Sequence, residues 1–218
     1  MTPSKTPSTC AEPRGAADSE PGVRRFLAEL LADRARHGRW LNTLSLMEHI
    51  GSRKIMLSQG ESSDEQVLKH LSEETRHAHF FRRAAEKEAG RPVSYADAEL
   101  AAPASARLYF GRLDAGLSRV TGPGALAYLY VTQAIEVRAG WLYALYERVL
   151  REAGHPLSLR SVIVEEDLHL AQMDAELSRR DPLYAQRAPR FLELEGRLFD
   201  AWFARTRAAL SGGEPRRA

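Results

Sequence analysis

Across residues 23 to 210 the apolar positions recur at intervals of three and four, the period of helices with one buried face. No alternating strand pattern of any length interrupts them. An opening helix is predicted over 23–36, with Gly38 breaking or bending the chain behind it. A second helix runs over about 40–58, and Gln59, Gly60 and Glu61 turn the chain. Ser62 with Glu65 has the form of a capping box, and it opens a third helix that stops at Gly90, ahead of Arg91 and Pro92. A long crossover follows over 93–120, with a short helix expected after Pro103. Two further helices are predicted over 125–153 and 158–180, joined tightly through His155 and Pro156. A last helix covers 183–210, with Pro189 as the point where it would bend. Short, long, short connections make two antiparallel hairpins that dock through the crossover. The expected fold is therefore all-α, a four-helix bundle with a long crossover and extra terminal helices.

Residues 1–22 are rich in Pro, Ser, Thr, Ala and Gly and hold too little apolar surface to offset ordering entropy, so they read as a disordered tail. Residues 211–218 read the same way, leaving 23–210 as one helical domain. With 218 residues, 44% hydrophobic and 28% charged, the chain has ordinary globular composition. Its single cysteine, Cys10, rules out an internal disulfide or a cysteine cage for zinc or iron–sulfur, and fits a reducing compartment. The longest apolar stretch, 125–135, carries Thr132 and Gln133 and closes at Glu136, short of the roughly 18–20 residues that span a bilayer. The N-terminus lacks the apolar core of a secretory signal, so a cytoplasmic protein with no membrane partner is expected. A net charge of +2 falls well short of a nucleic-acid-coating surface.

The apolar stripes carry unexpected acids. Glu48 interrupts the stripe Leu41, Leu44, Gly51 and Ile55. Glu74 and His77 sit among Val67, Leu71, Ala78 and Phe81. Glu136 sits among Leu129, Gln133, Ala139 and Tyr143, while Glu166 and His169 sit among Val162, Ile163, Leu170 and Met173. Four buried carboxylates without partners are prohibitively costly, and no Lys or Arg shares these stripes. Two divalent cations would balance them. The three-residue steps Glu74–His77 and Glu166–His169 put each pair on one helix face. A single Glu-x-x-His is ordinarily a solvated face. Two copies, each preceded by a core glutamate at hairpin distance, are not.

This arrangement, over about residues 40–180, resembles the ferritin-like di-iron carboxylate superfamily. The resemblance implies that Glu48 and His77 hold one metal and Glu136 and His169 the other, with Glu74 and Glu166 bridging. Residues 73–77 read Glu-Glu-Thr-Arg-His and 165–169 read Glu-Glu-Asp-Leu-His. The first is similar to a signature of bacterial di-iron monooxygenases. It implies that Glu73 orients His169 and Glu165 orients His77. Arg76 is expected to pair with Glu73, and Leu168 stands where the second copy would have its arginine. Gln133 is a further candidate neighbour of the ligands. His70, one turn before Glu74, reads as an ordinary half-buried histidine.

Carboxylates and imidazoles at an open site suit two iron ions, with manganese or a mixed manganese–iron pair as alternatives. The expected function is a non-haem di-iron oxidoreductase that activates O2 to oxidise or hydroxylate a small organic substrate. Phe81, Gly140, Tyr143, Leu170 and Met173 are the candidates for its pocket, each with core filling as the competing role. An iron- or peroxide-handling ferroxidase or rubrerythrin-like peroxidase is the alternative, and a tRNA-modifying di-iron hydroxylase a second. No flavin, haem or iron–sulfur motif is present, so an external electron donor or reductase is implied. A homodimer is compatible with the sequence.

Overall fold

The computed structural model describes residues 13, 16–58 and 65–211. Among them lie seven helices and no strand. They are α1 (Ala16–Leu31), α2 (Arg34–Ser58), α3 (Glu65–Ala89), α4 (Pro103–Thr121), α5 (Ala125–Glu152), α6 (Arg160–Arg180) and α7 (Tyr184–Ser211), with one 3-10 turn at Asp97–Glu99. Among the described residues no helix is long and apolar enough to cross a membrane.

Local chemistry sets the boundaries. The break between α1 and α2 falls at Asp33, whose carboxylate accepts the backbone N–H groups of Ala35 (3.0 Å) and Arg36 (3.1 Å), an N-cap. Gly38 lies inside α2 and breaks nothing. A Cβ there would meet the Ala85 carbonyl and the Glu88 Cβ at 3.4 Å, so the glycine serves close packing against α3. Gly90 ends α3 in a left-handed conformation (φ 67) that suits glycine. Glu147 of α5 accepts the Leu159 N–H at 2.7 Å and so caps the start of α6.

The pairing partners define the directions. Arg34 meets Glu88, and Ser45 donates to the Ala78 carbonyl at 2.6 Å, so α2 and α3 are antiparallel. Tyr130 meets Asp181, and Gln133 meets Asp174, so α5 and α6 are antiparallel too. His77 faces Glu165 and Glu73 faces His169, so α3 and α6 also run oppositely. It follows that α3 and α5 run the same way. The crossover is pinned where Asn42 donates to the carbonyls of Ser94 (2.7 Å) and Glu99 (3.0 Å).

The core splits into two apolar clusters. One gathers Phe26, Leu44, Phe81, Tyr143, Val162 and Trp202, and the other Tyr130, Val137, Leu170, Met173 and Phe191. Glu48, Glu74, Glu136 and Glu166 occupy the level between them, each buried.

Several expectations change. Helix α1 starts at Ala16, so 16–22 are not a tail. Glu20 pairs with Arg148 of α5 at 2.9 Å, and α1 continues through Pro21. The crossover helix is a full element, α4, because its buried face, including Tyr109, Phe110 and Leu113, packs on α5 and α7. Helix α7 continues through Pro189. The Ser62 cap and the tails over 1–12 and 212–218 lie outside the described residues.

Candidate metal centre

Each of four helices delivers an acid to one level. Glu48 comes from α2, Glu74 and His77 from α3, Glu136 from α5, and Glu166 and His169 from α6. All six side chains are at most 8% exposed. Gly51 lets α2 approach, since a Cβ there would stand 3.2 Å from Glu74 Oε2.

The two imidazoles are held from outside. Glu165 lies 2.7 Å from His77 Nε2, and Glu73 lies 2.9 Å from His169 Nε2. A carboxylate only accepts, so each Nε2 carries the proton and each Nδ1 faces the acids. His77 Nδ1 is 3.1 Å from Glu166 Oε1 and 3.7 Å from Glu74 Oε1. His169 Nδ1 is 3.5 Å from Glu166 Oε2 and 3.6 Å from Glu74 Oε1. Glu166 thus turns one oxygen to each histidine, and Glu74 Oε1 lies near both.

Arg76 differs from expectation. It reaches across to Glu165 at 2.6 Å and leaves Glu73 to Lys69 at 3.7 Å. The helix periodicity relates Arg76 to Glu73, but the neighbouring α6 puts a closer carboxylate beside it. Gln133 also turns away. Its amide donates to Asp174 at 2.5 Å and to the Tyr184 hydroxyl, so it ties α5 to α6 and α7.

His70 is where sequence reasoning falls short. It is 4% exposed, not half-buried, and its ring centroid lies 4.0 Å from that of His169. Its Nε2 stands 3.3 Å from Glu136 Oε1 and 3.5 Å from Glu74 Oε1. The available signal was the four-residue step to Glu74, which puts both on one face.

Two overlapping groups result: Glu48, Glu74, His77 and Glu166, and His70, Glu74, Glu136 and His169. Within each, one ligand-capable atom per residue lies within 4.8 Å of the others. Burial and mutual proximity shift these groups. Burial first, then the charges of Glu74 and Glu166, push the Glu48 carboxyl well above its usual range. Burial and then Glu166 push Glu136 up likewise. Burial would lower His77, but Glu166, Glu48 and Glu74 outweigh it and raise its pKa to about 10. His169 is raised for the same reason, by Glu166 and Glu73 against burial. Glu74 Oε1, Glu166 Oε1, His70 Nε2, His77 Nδ1 and His169 Nδ1 are buried without completing a hydrogen bond. Five unpartnered ligand-capable atoms converging on one level, oxygen and imidazole nitrogen mixed, could hold metal ions.

Space reaches this level. A cavity of about 480 Å3 runs from Leu57 at the surface, past Ile55, Val131 and Ile135, to Glu74, Glu136 and His70. Lys54 and Asp114, ion-paired at 2.8 Å, form part of its wall. A smaller interior space of about 50 Å3 touches Glu48, Glu74, Glu136, Glu166 and Tyr143. The Tyr143 hydroxyl donates to Glu48 Oε1. Met173 lines a third cavity, which also touches His70. Phe81, Gly140 and Leu170 line none of these. Phe81 and Leu170 fill the two apolar clusters, and Gly140 faces open space.

Comparison with protein families, curated proteins and solved structures returns no match, so the site is read from its own chemistry.

Proposed function

We propose that the chain is a non-haem di-iron oxidoreductase of ferritin-like, four-helix architecture that uses O2 to oxidise or hydroxylate a small organic substrate. Glu48 and His77 would hold one ion and Glu136 and His169 the other, with Glu74 and Glu166 between them. Two ferrous ions so held would supply redox chemistry toward O2. Hydroxylation consumes O2, two electrons and two protons, and leaves one oxygen atom in the product and one in water. An external donor or reductase supplies those electrons.

The observation that carries this reading is the 480 Å3 cavity, mostly apolar, that joins the surface to Glu74 and Glu136. A storage site needs only a path for ions, whereas this volume falls in the range of small-molecule pockets. The chain's own groups have definite tasks. The apolar wall binds substrate and excludes water. Glu73 and Glu165 fix the imidazoles with Nδ1 inward. Tyr143 holds a proton at Glu48 Oε1, where it restrains that carboxylate.

The test is anaerobic reconstitution with ferrous iron, metal counting, and absorption and Mössbauer spectra through a pulse of O2. Two irons per chain, lost together in Glu74→Ala and Glu166→Ala, and O2 consumption that stops after oxidation of those two, support the reading. Failure to bind iron or manganese overturns it, and so does ferric mineral growing beyond two irons.

A further inference from the structure

We infer that His70 is a seventh protein ligand, which gives the ion held by Glu136 and His169 a second imidazole and makes the two metal positions chemically unequal. The inference rests on the di-metal reading and extends it.

Three observations carry it. First, His70 is buried and its Nε2 completes no hydrogen bond, although it points into the acid cluster. A buried imidazole nitrogen left without a partner costs free energy unless something else engages it. Second, its distances suit shared coordination. A metal–ligand length of about 2.1 Å sets neighbouring ligand atoms about 3.0–3.4 Å apart. His70 Nε2 stands 3.3 Å from Glu136 Oε1 and 3.5 Å from Glu74 Oε1. Third, the ring lies 4.0 Å, centroid to centroid, from His169, whose Nδ1 faces the same Glu74 oxygen. Two imidazoles at that separation repel each other if both are charged. One cation taking a lone pair from each keeps them neutral.

The consequence is asymmetry. One position has Glu48 and a single histidine. The other has Glu136 and two histidines, and it is the one the large cavity reaches, since His70 and Glu136 both line that cavity. Because His70 adds no charge, the four carboxylates still balance two divalent ions.

The experiment counts nitrogens. The full-length chain is loaded with ferrous iron, with 15N-labelled histidine, and brought to the mixed-valent state for pulsed electron paramagnetic resonance. Wild-type protein should show three coordinated imidazole nitrogens, and His70→Ala two. In His70→Ala the second iron should dissociate at least tenfold more readily, and free imidazole, admitted through the cavity, should restore it. His70→Gln provides a gentler second variant. Two bound irons with only two nitrogens in the wild type overturn the inference and leave the di-iron reading standing. Undiminished binding of the second iron in both variants overturns it equally. Fewer than two bound ions in the wild type removes the parent reading, and the inference with it.

Discussion

A buried ion pair behind the metal level offers a sharp test of the packing. Arg138 follows Glu136 by two residues on α5, and its guanidinium donates to Glu195 of α7 through Nε at 2.9 Å and Nη2 at 2.8 Å. Tyr109 of α4 donates to the same carboxylate at 2.9 Å. The two charged side chains are 6% and 0% exposed, and the Arg138 guanidinium lies over the Phe199 ring at 4.1 Å. Glu195→Leu keeps the volume and removes the acceptor, leaving a buried guanidinium and a buried hydroxyl unpaired. Breaking one side of such a pair costs about 3–5 kcal/mol. For a chain of this size each kcal/mol shifts Tm by about 2–4 °C, so Tm should fall by about 6–20 °C. The combined variant Tyr109→Phe, Arg138→Met, Glu195→Leu removes all three polar groups and should recover most of that loss. Calorimetry of both variants decides the matter. A single variant that melts within about 2 °C of wild type would refute the reasoning, because a lost buried partner should cost more. So would a combined variant as unstable as the single one, because the damage would then come from packing alone.

Three other outcomes follow from particular contacts. Glu165→Gln weakens the acceptor that orients His77, and iron affinity should drop by about 10–100-fold in a ferrous titration; unchanged affinity would show that the contact does no orienting. Gly51→Ala should act oppositely on stability and on the site. A helix-interior Gly→Ala gains up to about 1 kcal/mol, while the new Cβ stands 3.2 Å from Glu74 Oε2 and displaces that carboxylate. Tm should hold or rise while iron binding weakens, and intact iron binding would contradict the close approach. The third concerns His37, whose pKa is lowered from 6.5 to about 4, by burial first and also by the charge of His155, against the pull of Glu88. Below 6.5 the unfolded chain takes up a proton at His37 that the folded one refuses, so the contribution of His37 to stability falls as pH drops from 6.5 to about 4 and is level outside that window. Urea unfolding at about pH 7 and about pH 5 should show this loss, and His37→Gln should remove it; an equal loss in the variant would place the effect elsewhere.

Helical periodicity is local, and what it dictates is legible in one dimension. The all-α class follows from apolar spacing alone. So does the placing of Glu48, Glu74, His77, Glu136, Glu166 and His169 on buried faces, because residues three or four apart share a face wherever the helix lies. The break at Asp33 is carried by the sequence too, as an N-cap residue, whereas Gly38 serves close packing inside α2. Relations between helices are another matter. Whether a face is buried at a given level depends on what packs there, so His70 had the right spacing but no way to declare its burial. Arg76 had Glu73 within reach along its own helix, yet the tertiary fold offered it a nearer carboxylate on α6. Gln133 shared a stripe with Glu136, but Asp174 and the Tyr184 hydroxyl captured its amide. Nor does any local pattern reveal a cavity, whose volume is what several helices leave unfilled between them. Residue types and faces are carried by the chain, whereas partners, depth and empty space arise when separate helices meet.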